Sequence, residues 1–191
     1  MVASRPGSHK SKELALRVVS ALVLIPFALF VVATGGLILA IACAVFAAIM
    51  GYEWARMTAS PIMPATAVLS AACVIGAYLG DWSVAFIALL VSAAIIGLIH
   101  PSRPGERAVA AFGVFYSAGL PLGLFFLRDG VWYGQAAALI LMGTVWASDT
   151  GAYFAGRGFG GPPLSPRDSP SKTWSGAIGA VVCSALCGLI A

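Results

Sequence analysis

Charge is scarce in this sequence. Only 9% of its 191 residues are charged, seven of them acidic, and histidine occurs twice. A soluble domain carries about a quarter charged residues, so a water-borne globular fold is excluded. The net charge of +4 says little about nucleic acid; where the cations sit carries the information. Cysteine is scarce too, and Cys43, Cys73, Cys183 and Cys187 all lie in apolar runs. Cys183 and Cys187 share a helix face at i, i+4, yet no histidine or second cysteine pair stands near them to complete a metal site. All four read as small buried hydrophobes. What is plentiful is apolar sequence. Hydrophobic residues make up 60% of the chain, in runs of about 20 that recur along its whole length, enough for a helix to cross a bilayer. The expected fold is all-α: a polytopic integral membrane helical bundle of about seven transmembrane helices, the last one truncated.

Residues 1–13 are polar and basic, with Arg5, Lys10 and Lys12, and read as a cytoplasmic tail. Residues 14–191 read as a single transmembrane domain with a site loop at 156–173. The apolar runs are 14–33, 37–50, 65–79, 82–99, 108–127, 131–155 and 174–191. A basic head before the first run is compatible with a signal peptide. The run is long and further spans follow at once, which favours an uncleaved first helix. With the N-terminus in the cytoplasm and sides alternating, Arg5, Lys10, Lys12, Arg17, Arg56, Arg103, Arg107, Arg157, Arg167 and Lys172 fall on one face. Only Arg128 falls on the other. This positive-inside asymmetry supports the count and the orientation, and it sets 156–173 in the cytoplasm.

The polar residues concentrate between Trp146 and Gly176. Asp149 sits inside an apolar run, where a carboxylate costs roughly 2.5–3.5 kcal/mol. It reads either as a helix-end acid reaching the headgroups or as a ligand in a polar cavity, where an oxygen donor suits Mg2+. Gly156, Gly158, Gly160 and Gly161 surround Arg157 and would let backbone approach a phosphate, although the run is neither G-x-G-x-x-G nor a P-loop. Ser169-Pro170-Ser171-Lys172-Thr173 then places hydroxyls and an ammonium just before a helix start, where free N–H groups attract anions. An ordinary N-cap with an interfacial lysine accounts for the same residues. Glu53 ends the second run and is spaced to pair with Arg56. His100 reads as interfacial. Trp54, Trp82, Trp132, Trp146 and Trp174 lie near run ends as belt residues.

Ser148-Asp149-Thr150-Gly151-Ala152-Tyr153-Phe154, Gly156-Arg157-Gly158-Phe159-Gly160, Leu164-Ser165-Pro166 and Ser169-Pro170-Ser171-Lys172-Thr173-Trp174 resemble the phosphatidate cytidylyltransferases (CDP-diacylglycerol synthases). Glu53-Trp54 also falls where that family carries an acid after its second span. The resemblance implies an integral inner-membrane enzyme that uses Mg2+ to condense CTP with phosphatidic acid, giving CDP-diacylglycerol and pyrophosphate. It implies Asp149 as catalytic residue and metal ligand, Lys172 as catalytic cation, and Arg157, Ser169, Thr173 and Glu53 as substrate-binding residues. The implied partners are CTP, phosphatidic acid, the lipid bilayer and a second copy of the chain in a homodimer, with no nucleic acid. Two family residues are missing here, a lysine near Pro163 and a glutamate at Ser175. The family's C-terminal Pro-Gly-His-Gly-Gly signature has no counterpart, so the expectation is a chain cut short of the full acid set. A different class remains open on the residues alone: a small transporter with Asp149 as ion or proton relay. The lack of inverted repeats counts against it.

Overall fold

The computed structural model describes residues 7–100, 103–167 and 169–190, with side chains from residue 19 onward. Of the tail expected at residues 1–13, residues 1–6 lie outside the described residues and 7–13 are helical. Among the described residues, seven helices and one short hairpin form two compact units, divided between Gly130 and Val131.

The first unit contains α1 (Gly7–Thr34), α2 (Gly36–Met57), α3 (Met63–Leu79), α4 (Trp82–Ile99) and α5 (Pro104–Asp129). Here α1 starts seven residues before the apolar run, and α2 continues seven residues past its expected end, carrying Glu53 on its last turns. Gly35 and Gly36 have φ of 64° and 53°, left-handed values that glycine adopts without strain, so the chain reverses there in two residues. Pro121 does not interrupt α5.

The core of this unit is made of small side chains. Cys73, Ala93, Ile96, Ala110, Val114 and Ala118 pack together. With no water to expel, close backbone approach and polar contacts hold such helices together. A Cβ on Gly51 would lie 2.9 Å from Ser70 Oγ and 3.0 Å from Thr66 O, so α2 and α3 meet backbone to backbone. Ser70 and Ser117 share a buried 2.7 Å hydrogen bond. Ser117 donates to Gly113 O at 2.6 Å, so its single proton is used and Ser70 is the donor between them. Outward, Phe46, Phe86, Phe112 and Leu120 are exposed, the surface a lipid solvent accepts. Helices α2, α4 and α5 are long and apolar enough to cross a membrane.

Two readings of single residues change. Trp54 is a packing anchor rather than a belt residue: its indole lies against Gly113, donates to Val109 O at 3.2 Å, and meets Phe112 and Tyr116 at centroid distances of 5.9 and 4.9 Å. His100, read as interfacial, is buried as the C-cap of α4, and its Nδ1 has no hydrogen-bond partner among the described residues.

The second unit contains α6 (Gly134–Phe159), β1 (Pro163–Ser165), β2 (Ser169–Thr173) and α7 (Trp174–Ile190). The first helix runs four residues past the expected boundary at 155, so Gly156, Arg157 and Gly158 are helical and the turn falls at Gly160-Gly161. The strands pair antiparallel, Pro163 with Thr173 and Ser165 with Ser169, where a loop was expected.

Candidate functional site

The two helices of the second unit approach through a seam of small residues. A Cβ on Gly179 would fall 2.4 Å from Ala155 Cβ and 2.6 Å from Gly151 O. One on Gly151 would meet Cys183 Sγ and Gly179 O, both at 2.5 Å. Gly143 faces Cys187 Sγ at a relaxed 3.6 Å. Cys183 and Cys187 are therefore seam residues, half-buried where buried side chains were expected, whereas Cys43 and Cys73 are buried.

This seam fixes which face of α6 is left free. Asp149, Tyr153 and Arg157 recur every fourth residue and so line one face of the helix. All three are exposed. Arg157 Nη1 donates to Tyr153 Oη at 3.1 Å, and its guanidinium lies 5.9 Å from that ring's centre. Tyr153 was not among the candidates, although its spacing midway between Asp149 and Arg157 signals it. Asp149 has no hydrogen-bond or ion-pair partner among the described residues. Because α6 extends to Phe159, this carboxylate lies ten residues, about 15 Å, before the helix end.

Above Asp149 the chain turns sharply. Gly160 and Gly161 have φ of 62° and 110°, and the hairpin then returns to α7. Its cations Arg167 and Lys172 are exposed and without partners among the described residues, as is the half-buried Ser169 hydroxyl. Thr173 sits where the hairpin meets both helices. Its Oγ1 accepts from Gly176 N at 3.2 Å and pairs with Ser175 Oγ at 3.0 Å. A Cβ on Gly156 would lie 3.1 Å from that same Oγ1. Ser175 Oγ also donates to Gly160 O. Arg157, Thr173 and Lys172 are thus gathered at one end of the α6–α7 pair, with Asp149 about two turns lower on α6.

Glu53 belongs to the first unit. It forms the expected ion pair with Arg56, at 3.0 Å, and both side chains are about half exposed or more, 47% and 65%. Such a pair contributes little to stability.

Among the described residues no cluster of three or more histidine, cysteine, aspartate or glutamate side chains assembles. A metal held wholly by protein has no ligand set there. Mg2+ commonly takes one or two carboxylates and completes its shell with water and substrate phosphates, and the unpaired Asp149 fits that demand.

Long apolar helices with exposed apolar side chains mark a membrane-embedded protein, and among the described residues α6 carries the unpaired Asp149 with a cationic hairpin at its end. Comparison with known proteins gives the family. Residues 15–191 match the model of the cytidylyltransferase family, and the chain belongs to it. A phosphatidate cytidylyltransferase of Brucella suis is 33% identical over 182 residues, covering 93% of this chain and 67% of that protein. Its counterpart from Thermotoga maritima is 35% identical over 100 residues, covering 48% and 34%. That of Pseudomonas aeruginosa is 49% identical over 41 residues, covering 22% and 15%. No solved structure matches.

Proposed function

We propose that this chain is a phosphatidate cytidylyltransferase, condensing CTP with phosphatidic acid to CDP-diacylglycerol and pyrophosphate. The observation that carries the reading is the unpaired Asp149 carboxylate on the same face of α6 as Arg157, in a member of the cytidylyltransferase family. In the reaction a phosphate oxygen of phosphatidic acid attacks the α-phosphorus of CTP. The new P–O bond forms as the bond to the β-phosphate oxygen breaks, and pyrophosphate leaves with that electron pair. Both reactants are anions, so the chain's work is to bring them together and offset their charge.

In this reading Arg157, Lys172 and Ser169 meet phosphate oxygens from the hairpin end of α6. Tyr153 holds the Arg157 guanidinium in place through its hydroxyl and ring. Asp149 holds Mg2+, which when bound would polarise the phosphoryl oxygens and offset the charge of the departing pyrophosphate. Glu53, in the first unit, is the further substrate-binding acid that the family resemblance implies. The positive-inside distribution supports a bacterial-type inner membrane location with the hairpin in the cytoplasm, where CTP is found.

The test supplies purified protein with CTP, Mg2+ and phosphatidic acid in mixed micelles and follows pyrophosphate release. Turnover that disappears in Asp149→Asn is the expected result. No turnover at any Mg2+ concentration rejects the reading.

A further inference from the structure

The hydroxyls of Thr173 and Ser175 form a relay whose direction is fixed by counting protons. Gly160 O can only accept, so the Ser175 proton lies on that bond. At the 3.0 Å contact between the two hydroxyls Ser175 then has no proton left, and Thr173 donates. Thr173 Oγ1 accepts in turn from Gly176 N. Each hydroxyl has one proton, and both are used.

The relay joins three pieces of chain: the glycine turn after α6, the end of β2 and the first turn of α7. It has little slack. Cβ atoms built on Gly156 and Gly176 would stand 3.1 and 3.3 Å from Thr173 Oγ1. A backbone bond from Trp174 N to Pro162 O, 3.2 Å long, closes the same corner. Immediately before it stands Lys172, whose ammonium has no partner among the described residues.

We propose that Thr173 and Ser175 are positioning residues rather than phosphate ligands. They clasp the hairpin to the end of α6 so that Lys172, the adjacent residue, presents its ammonium to a phosphate of CTP. A phosphate drawing a proton from Thr173 would have to break the relay, whereas the lysine and the Ser169 hydroxyl are free to bind. The identity of the anion rests on the cytidylyltransferase reading; the clasp does not.

Limited trypsin digestion of the purified full chain in detergent, read by mass spectrometry, tests the clasp without requiring activity. Scission after Lys172 is the readout, with scission after the exposed Arg56 as internal control. Thr173→Ala and Ser175→Ala both remove the bond between the two hydroxyls, and each removes one more from its own side, that from Gly176 N or that to Gly160 O. They should cleave about five-fold faster at Lys172, while Thr173→Ser and Ser175→Thr keep the wild-type rate and Arg56 scission is unchanged. In the pyrophosphate assay Ser175→Ala should raise KM for CTP about five-fold with little change in kcat. The same substitution should add nothing in a Lys172→Ala background. Unchanged Lys172 scission in both alanine variants overturns the clasp. An additive loss in the Lys172→Ala background overturns positioning through Lys172. A chain without turnover rejects the cytidylyltransferase reading, and the scission rates still decide the clasp.

Discussion

Asp129 Oδ2 accepts a hydrogen bond from the backbone N–H of Gly36 at 2.7 Å, linking residues 93 positions apart. The last residue of α5 thereby caps the first residue of α2. Its neighbour Arg128 completes the corner from the other side, donating from Nε to Val32 O at 2.6 Å and from Nη2 to Ala33 O at 2.9 Å, at the open C-terminus of α1. A 3.2 Å ion pair, with side chains only 15% and 20% exposed, holds the two residues in register. Arg128, the lone cation on its side of the sequence topology, is thus engaged by the fold.

Asp129→Ala should destabilise the protein by about 1–2 kcal/mol, the usual cost of a lost charged cap. Gly35→Ala should cost more, because its methyl would lie 2.8 Å from Asp129 Oδ1 at a φ of +64°. Thermal unfolding in detergent measures both, and equal stability to wild type in Asp129→Ala would show the corner to be incidental.

The seam between α6 and α7 makes a paired prediction. Gly179→Ala places a methyl 2.4 Å from Ala155 Cβ and should cost about 3 kcal/mol. Gly143→Ala meets only Cys187 Sγ at 3.6 Å and should be neutral or stabilising by up to about 1 kcal/mol. The two substitutions are chemically identical, so a melting experiment that failed to separate them would refute the packing described.

Acid should weaken the start of α4. The Ser83 hydroxyl and then the Val84 N–H hold the Asp81 carboxyl below its ordinary range. A depressed folded value means that the stabilisation is full above the unfolded pKa, about 3.9, and is lost as pH falls through the folded one. Asp81→Asn should remove this part of the acid dependence, seen as a flatter plot of melting temperature between about pH 4 and pH 2. An unchanged slope would assign the acid dependence to other groups.

Much of the helical layout was legible because the breaks are local chemistry. Residues 82–99 emerge as α4 with the bounds read from sequence, bracketed by the Asp81 cap and the extended backbone at His100. Glu53 and Arg56 pair as their spacing implied. What escaped depends on contacts far along the chain. Gly156 and Gly158 read as loop, yet α6 continues through them, and Gly156 leaves room for Thr173 Oγ1. The prolines in 163–173 argue against a strand, but a two-stranded hairpin is all edge and tolerates them. Trp54 looked like an interfacial residue because nothing local announces the groove at Gly113, 59 positions later, that receives its indole. Nothing local to Thr173 announces the bonds that engage its hydroxyl, since the relay through Ser175 ends on a carbonyl 13 residues before Thr173.

The central claim is that Asp149 recruits the divalent cation that CTP brings to this site. Mn2+ stands in for Mg2+ in electron paramagnetic resonance, so free and bound metal can be counted while CTP is titrated onto wild-type protein and Asp149→Asn. The account predicts a protein–Mn2+–CTP complex in wild type that the substitution weakens at least about ten-fold. Equal metal affinity in the two proteins would contradict it.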